Sequence, residues 1–297
     1  MRNIRFIQFP HPGPEHRPGP DGQGKAWNWI KHPNGRDNSH ARTFFQVNGS
    51  RLTADGIVTG SLWAWGEWEA EAKVIRTLDG ADGRPNTLFE PYWVRKDSFE
   101  NLHNTDPFVF GGFYYTDCKQ GTSRALQGML ELDVGSVIIF GSVSGSRWVL
   151  DTVFVVRDHI DHNVSSYQQR LGNRVPVGYD QVVLGPTYVE HGDRRGLPRR
   201  LCIGATFSEP VDGMFSFFPC TAPGDGKGFA RPAITPSTVL THKYFNPNLA
   251  QGMKGHGKSA KPIPLSEIKL LWKEIRDQVE SSGCDLGVWA DMPRARG

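Results

Sequence analysis

Ser61-Leu62-Trp63-Ala64-Trp65-Gly66-Glu67-Trp68-Glu69-Ala70-Glu71 packs three tryptophans and three glutamates into eleven residues. In a strand, successive side chains point to opposite faces. Trp63, Trp65, Glu67, Glu69 and Glu71 then share one side, which grades from aromatic to acidic. Leu62, Ala64, Gly66, Trp68 and Ala70 share the other. A face of the first kind can stack a flat ring and set a carboxylate beside it. A bulge at Gly66 would throw Trp68 and the later glutamates out of phase. The competing reading is plainer: the tryptophans cover a core edge and the glutamates face water.

Other residues suited to chemistry lie in loops. Asn104, Asp106, Tyr115, Lys119 and Gln120 offer donors and acceptors that can read a polar ring edge, although Asn, Asp and Gly also build ordinary turns. His11 sits among Pro10, Pro12 and Pro14, whose fixed backbone presets its position. Trp27 and Asn28 follow as further ring-binding candidates. Asp151 is a lone carboxylate inside an apolar run, so it must be hydrogen-bonded or have a raised pKa. Asp158, His159, Asp161 and His162 can bind a metal, but no third cluster accompanies them and no C-x-x-C pair occurs. Neither a metal nor a cofactor is therefore expected. Arg194, Arg195, Arg199 and Arg200 form a local basic excess suited to a nucleic-acid backbone, or else a solvated loop. Residues 252–259 match the pattern G-x-x-x-x-G-K-[ST], but Pro262 and Pro264 prevent the helix that a phosphate loop needs. Lys254 and Lys258 remain as cations of a glycine-rich loop that can touch phosphates.

These groups must be positioned by a β-rich framework. Residues 4–9 predict a first strand, and residues 42–47 a second. Asn48-Gly49 and Asp55-Gly56 read as turns. Residues 137–140 and 148–156 predict an apolar hairpin with residues 141–146 as its turn. Further strands are expected at 201–207 and 214–218, the latter closed by Pro219. One helix is clear, over about 267–281. Ser266 caps it, Gly283 stops it, and Ile268, Leu271, Ile275 and Val279 form its buried stripe. The expectation is an α+β fold: a β-rich, mixed or barrel-like sheet with few helices, long loops and a C-terminal helix packed on the sheet. One large domain is expected over 1–297. Its core spans about 1–160 and 201–220, with an Arg-rich, mobile insertion at about 163–200 and the helix at about 266–282.

The chain has 297 residues, 34 glycines and 21 prolines, so it can bury a real core and still be rich in loops. A net charge of +3 does not by itself demand a nucleic-acid partner. No apolar run has the length of a bilayer span. No signal peptide is evident, and the four cysteines form no motif, so reduced thiols and a cytoplasmic location are expected.

Residues 134–142 (Val-Gly-Ser-Val-Ile-Ile-Phe-Gly-Ser), within the region 132–156, resemble the core strand of PUA-like domains, including the ASCH and EVE types. The resemblance implies a small β-barrel with an aromatic pocket for a modified nucleobase. This chain is much larger than a simple reader of that type, which leaves room for an enzyme. The resulting expectation is an N-glycosidase that excises modified bases from phage DNA in a defence role. Trp63, Trp65 and Tyr115 would stack a flipped base, and Asn104, Lys119 and Gln120 would bind its edge. Glu67, Glu69, Asp106 or Asp151 would stabilise the oxocarbenium ion or orient water. The alternatives are a non-catalytic modified-base reader and a hydrolase of a free nucleotide.

Overall fold

A computed structural model describes residues 3–11, 24–25, 42–80, 86–95, 97, 105–120, 127–190, 197–224, 226–255 and 261–296. Within these, the strands number β1 to β13 along the chain and form two mixed sheets. The smaller contains β1 (Phe6–Pro10), β7 (Tyr114–Tyr115), β8 (Val137–Ser144), β9 (Arg147–His162) and β10 (Arg199–Gly204), in the order β1-β8-β9-β10-β7. The larger contains β2 (Gly24–Lys25), β3 (Arg42–Thr53), β4 (Gly56–Glu67), β5 (Ala72–Leu78), β6 (Asn86–Val94), β11 (Phe218–Thr221), β12 (Asp285–Ala290) and β13 (Arg294–Arg296). Its order is β12-β11-β4-β3-β6-β5-β2, with β13 on β6 and a second ladder between β12 and β3. Helices are few: α1 (Tyr167–Leu171), α2 (Gly185–Glu190), α3 (Val239–Tyr244) and α4 (Leu265–Ser281). Among the described residues, no helix is long and apolar enough to cross a membrane.

Strand alternation sorts the apolar residues into layers. Ile7, Phe9, Ile138, Phe140, Phe154 and Val156 face Phe45, Leu62 and Ala64 across the space between the sheets. Their neighbours Phe6, Val137, Ile139, Val153 and Val155 face the other way and pack with Ile268, Leu271, Trp272, Ile275 and Val279 of α4. On the far face of the larger sheet, Phe44, Trp63, Trp65, Leu78 and Leu88 form a third cluster. The apolar hairpin and the helical stripe therefore lie where their periods put them.

Several local expectations are corrected. Asn48-Gly49 is not a turn but lies inside β3, where β12 runs close beside it. A Cβ on Gly49 would stand 2.2 Å from the Trp289 carbonyl oxygen, so this glycine serves close approach of two strands. Gly66 marks no bulge, because the β3–β4 ladder runs unbroken from Arg42↔Glu67 to Thr53↔Gly56. Residues 214–217 do not form a strand. The Phe217 amide and carbonyl instead bond Val153 at 2.9 and 2.8 Å, and the strand begins at Phe218 with Pro219 inside it. The described part of the region 163–200 also contributes to the core. Leu171, Tyr179, Val182, Val183, Leu184 and Tyr188 are buried in the core between the sheets.

Candidate active site

Three strand ends and a bulge converge on one buried cluster. His11 follows β1 directly, and its N–H donates to the Gly141 carbonyl at 2.7 Å, extending the pairing of β1 with β8. Arg42 opens β3 and stands opposite Glu67, the last residue of β4. Asp151 lies at a bulge in β9, where the ladder steps from Thr152 to Leu150 between Phe140 and Gly141. The bulge re-aims the carboxylate out of the apolar pattern around it.

Arg42 is fully buried and joins these parts. Its Nη1 donates to Glu67 Oε2 at 2.8 Å and its Nε to Asp151 Oδ2 at 2.6 Å. Nη2 donates to the His11 carbonyl at 2.9 Å and stands 3.0 Å from His11 Nδ1. Arg231 Nη1 donates to the other oxygen of Asp151 at 3.0 Å and to Ser142 Oγ at 2.8 Å. Two guanidiniums thus balance two carboxylates. Burial alone would lower the Arg42 pKa, but Asp151 and then Glu67 outweigh it, and Arg42 stays charged.

At the other end of this network lies a thiol. Cys118 Sγ is 3.1 Å from His11 Nε2, and His11 Nδ1 is 2.7 Å from Glu67 Oε2. A proton on Nδ1 directed at Glu67 leaves Nε2 as an acceptor for the thiol proton. The shorter, charge-assisted contact to Glu67 favours that tautomer over acceptance from Arg42 at the same nitrogen. Nucleophile, base and orienting carboxylate are therefore in line, the arrangement that activates a thiol.

The turn carrying Cys118 is fixed from several sides. Asp106, completely buried, accepts the amides of Thr116 at 3.1 Å, Asp117 at 2.9 Å and Cys118 at 2.8 Å. Tyr115 donates its hydroxyl to the Cys118 carbonyl at 2.6 Å. Arg199 pairs with the Asp117 carboxylate, and Thr116 Oγ1 meets His162 Nε2 at 2.9 Å, while His162 Nδ1 contacts the Tyr188 hydroxyl. Burial pushes the Asp106 carboxyl well up, with Asp117 adding to it and the Cys118 and Asp117 amides opposing. Burial also pushes the Cys118 thiol well up, reinforced by Asp106 and Glu67, although the residue keeps partial exposure. The resting thiol is neutral.

The residues singled out from sequence fall into different roles. Glu67 and His11 are in the site, with His11 beside the thiol. Trp63, Trp65 and Glu67 do share a face, but the tryptophans offer no open stacking surface. Phe44 stacks on Trp65 at 4.8 Å, and Arg76 lies over Trp63 at 5.0 Å. Their indole N–H groups donate to the Phe229 carbonyl and to Gln46. Glu69 and Glu71 lie past the end of β4, and the Glu69 amide donates to Thr105 Oγ1 at 2.9 Å. Asp151 holds the two arginines, and Asp106 holds backbone. Tyr115 is buried against Phe9 and Phe140. The Gln120 side chain bonds the Arg200 backbone twice, each at 2.8 Å, so it is not free to read a ligand.

Arg199 is buried on Asp117, and Arg200 is engaged by Asp161 at 2.6 and 3.0 Å, so neither extends as a free phosphate contact. Lys254 pairs through its backbone with Gln8 at 3.1 and 3.0 Å. Asp158 is paired with Arg174. Among the described residues no three metal-ligating side chains come together. Asn104, Trp27, Asn28, Arg194, Arg195 and Lys258 lie outside the described residues.

Cys118 and Arg42 were not singled out as functional from the sequence. A signal for the first exists: Cys118 stands in a polar run, Thr116-Asp117-Cys118-Lys119-Gln120, whereas Cys202 sits between Leu201 and Ile203. A lone polar-flanked cysteine with a distant histidine is a nucleophile candidate. No family model, no curated protein and no solved structure matches this chain.

Proposed function

We propose that this protein is an enzyme that works by covalent catalysis at Cys118, transferring or hydrolysing a group held on an electrophilic carbon. The observation that carries this reading is the line from Cys118 Sγ through His11 to Glu67, with contacts of 3.1 and 2.7 Å. His11 Nε2 takes the thiol proton as Sγ attacks, and an S–C bond forms. The leaving group departs with the proton that His11 returns. Water or a second acceptor, deprotonated by the same nitrogen, then breaks the S–C bond and restores the thiol. Glu67 holds the tautomer that makes Nε2 a base and stabilises the imidazolium. Arg42 holds Glu67. Because the resting thiol is neutral, proton transfer accompanies attack instead of preceding it.

The N-glycosidase reading has weaker support. Glu67 is engaged by His11 and Arg42, and Trp63 and Trp65 are closed in the core. Iodoacetamide alkylation, resolved by peptide mass spectrometry, tests the proposal. Cys118 should react ahead of Cys202, Cys220 and Cys284, and its rate should drop at least tenfold in His11→Ala, in line with the usual share of a general base. An ordinary thiol rate that ignores His11→Ala would sink it. Abasic sites produced in modified-cytosine DNA by the Cys118→Ala protein would return the N-glycosidase reading.

A further inference from the structure

Lys119 follows the proposed nucleophile directly and is held in an unusual backbone state. The Gln120 amide donates to the Asp117 carbonyl at 2.8 Å, closing a β-turn with Cys118 and Lys119 at its centre. Lys119 has φ +63°. A turn with positive φ at its third residue ordinarily takes glycine there, because a Cβ is strained in that region. Among the described residues only one other non-glycine residue, Asp212 at φ +51°, has positive φ. Aspartate tolerates that region; lysine has no such excuse. Strain of this kind persists where the side chain has a use.

The charges around the thiol indicate the use. Glu67 is paired with Arg42, Asp117 with Arg199, and Asp106 with three amides. Each of these three carboxylates thus has its own partner. Lys119 is exposed and has no carboxylate partner among the described residues. We infer that Lys119 is a specificity-determining residue that receives an anionic group, a carboxylate or phosphate, of the substrate whose carbon Cys118 attacks. This inference rests on the reading of Cys118 as the nucleophile.

Two alkylating agents of similar size separate charge from reactivity: iodoacetate is anionic and iodoacetamide neutral. The probe rates at Cys118 are compared with those at a cysteine in an uncharged, unstructured peptide. The iodoacetate-to-iodoacetamide ratio should exceed the peptide's by about two- to fivefold, the worth of one solvent-exposed ion pair. The excess should shrink in 1 M salt, where screening acts within about 3 Å. Lys119→Gln should abolish it and Lys119→Arg should keep it. Lys119→Gly should abolish it while raising the melting temperature by about 1–3 °C, because the strained Cβ is gone.

An excess unchanged in Lys119→Gln, with iodoacetamide reactivity still dependent on His11, would overturn the role of Lys119 and leave the nucleophile standing. Iodoacetamide reactivity no different from the peptide's, in native and His11→Ala proteins alike, would remove the nucleophile and this inference with it. A fall in melting temperature in Lys119→Gly would show that the left-handed residue is not strained and overturn the argument built on it.

Discussion

Arg42 is the residue on which the site depends most, because removing it takes a buried guanidinium from two buried carboxylates at once, with Arg231 still on Asp151 and His11 still on Glu67. Arg42→Met should destabilise the protein by about 3–5 kcal/mol, the cost of breaking a buried pair from one side. Urea unfolding would read it, and a loss under 1 kcal/mol would mean that His11 and Arg231 suffice to hold Glu67 and Asp151. Glu67→Gln makes a different prediction. The amide keeps the volume and one acceptor, so the fold should survive, yet His11 loses the charge that fixes its tautomer. Cys118 alkylation should slow by about tenfold or more, with the melting curve shifted far less than in Arg42→Met. Glu67 and His11 were legible in the sequence because a glutamate among tryptophans and a histidine among prolines stand out locally. Arg42 was not, since its partner Asp151 is 109 residues away and nothing near either announces the other.

At the scale of elements, the bulge in β9 and the tie between β9 and α2 place the cluster. Gly141 faces the bulge, and a Cβ there would lie 2.2 Å from the Val149 carbonyl oxygen and 2.5 Å from the Trp148 ring. Gly141→Ala should therefore cost about 1–3 kcal/mol. It should also slow Cys118 alkylation, because the His11 amide bonds the Gly141 carbonyl. Loss of stability with unchanged thiol reactivity would show that His11 is placed by other means.

His162 links β9 to Thr116 and to Tyr188 of α2. Burial lowers its pKa to about 4, with Arg199 contributing. An unfolded histidine titrates near 6.5, so below that pH the unfolded chain binds a proton that the folded protein refuses. The stabilising contribution is complete above pH 6.5 and is lost as pH falls towards 4. The loss is roughly 3 kcal/mol by the usual value of a pKa unit. His162→Gln should flatten the stability profile in that window, as melts at pH 7 and pH 4.5 would show. The sequence located the hairpin, because a run of apolar residues broken by Gly145 is a local signal, but it ended the first strand at Phe140 where pairing continues to Ser144, and the second at Val156 where it continues to His162. It put no bulge at Asp151, because a bulge is set by the partner strand and not by the residue's own neighbours.

Across the whole molecule, the smaller sheet divides the protein into two chemical territories. Its face towards the larger sheet carries Phe9 and Phe140, the approach to His11. Its other face is closed by α4, whose Trp272 is buried and donates its indole N–H to the Phe215 carbonyl at 2.9 Å. The α4 stripe was legible because its period is helical, and the β-rich class because strands and turns alternate. The meeting of Cys118 with His11 was not, since 107 residues separate them and only the sheet order brings them together. The layering has a measurable consequence. Trp272→Ala should cost about 3–5 kcal/mol, the range for emptying a large aromatic site. It should nevertheless leave the alkylation rate of Cys118 unchanged in conditions where the variant is folded, because its cavity opens on the side of the sheet away from His11. Arg42→Met should cost a similar amount of stability and also slow Cys118. If Trp272→Ala slows the thiol as much as Arg42→Met does, reactivity follows global stability, and the buried network has no special command over the site.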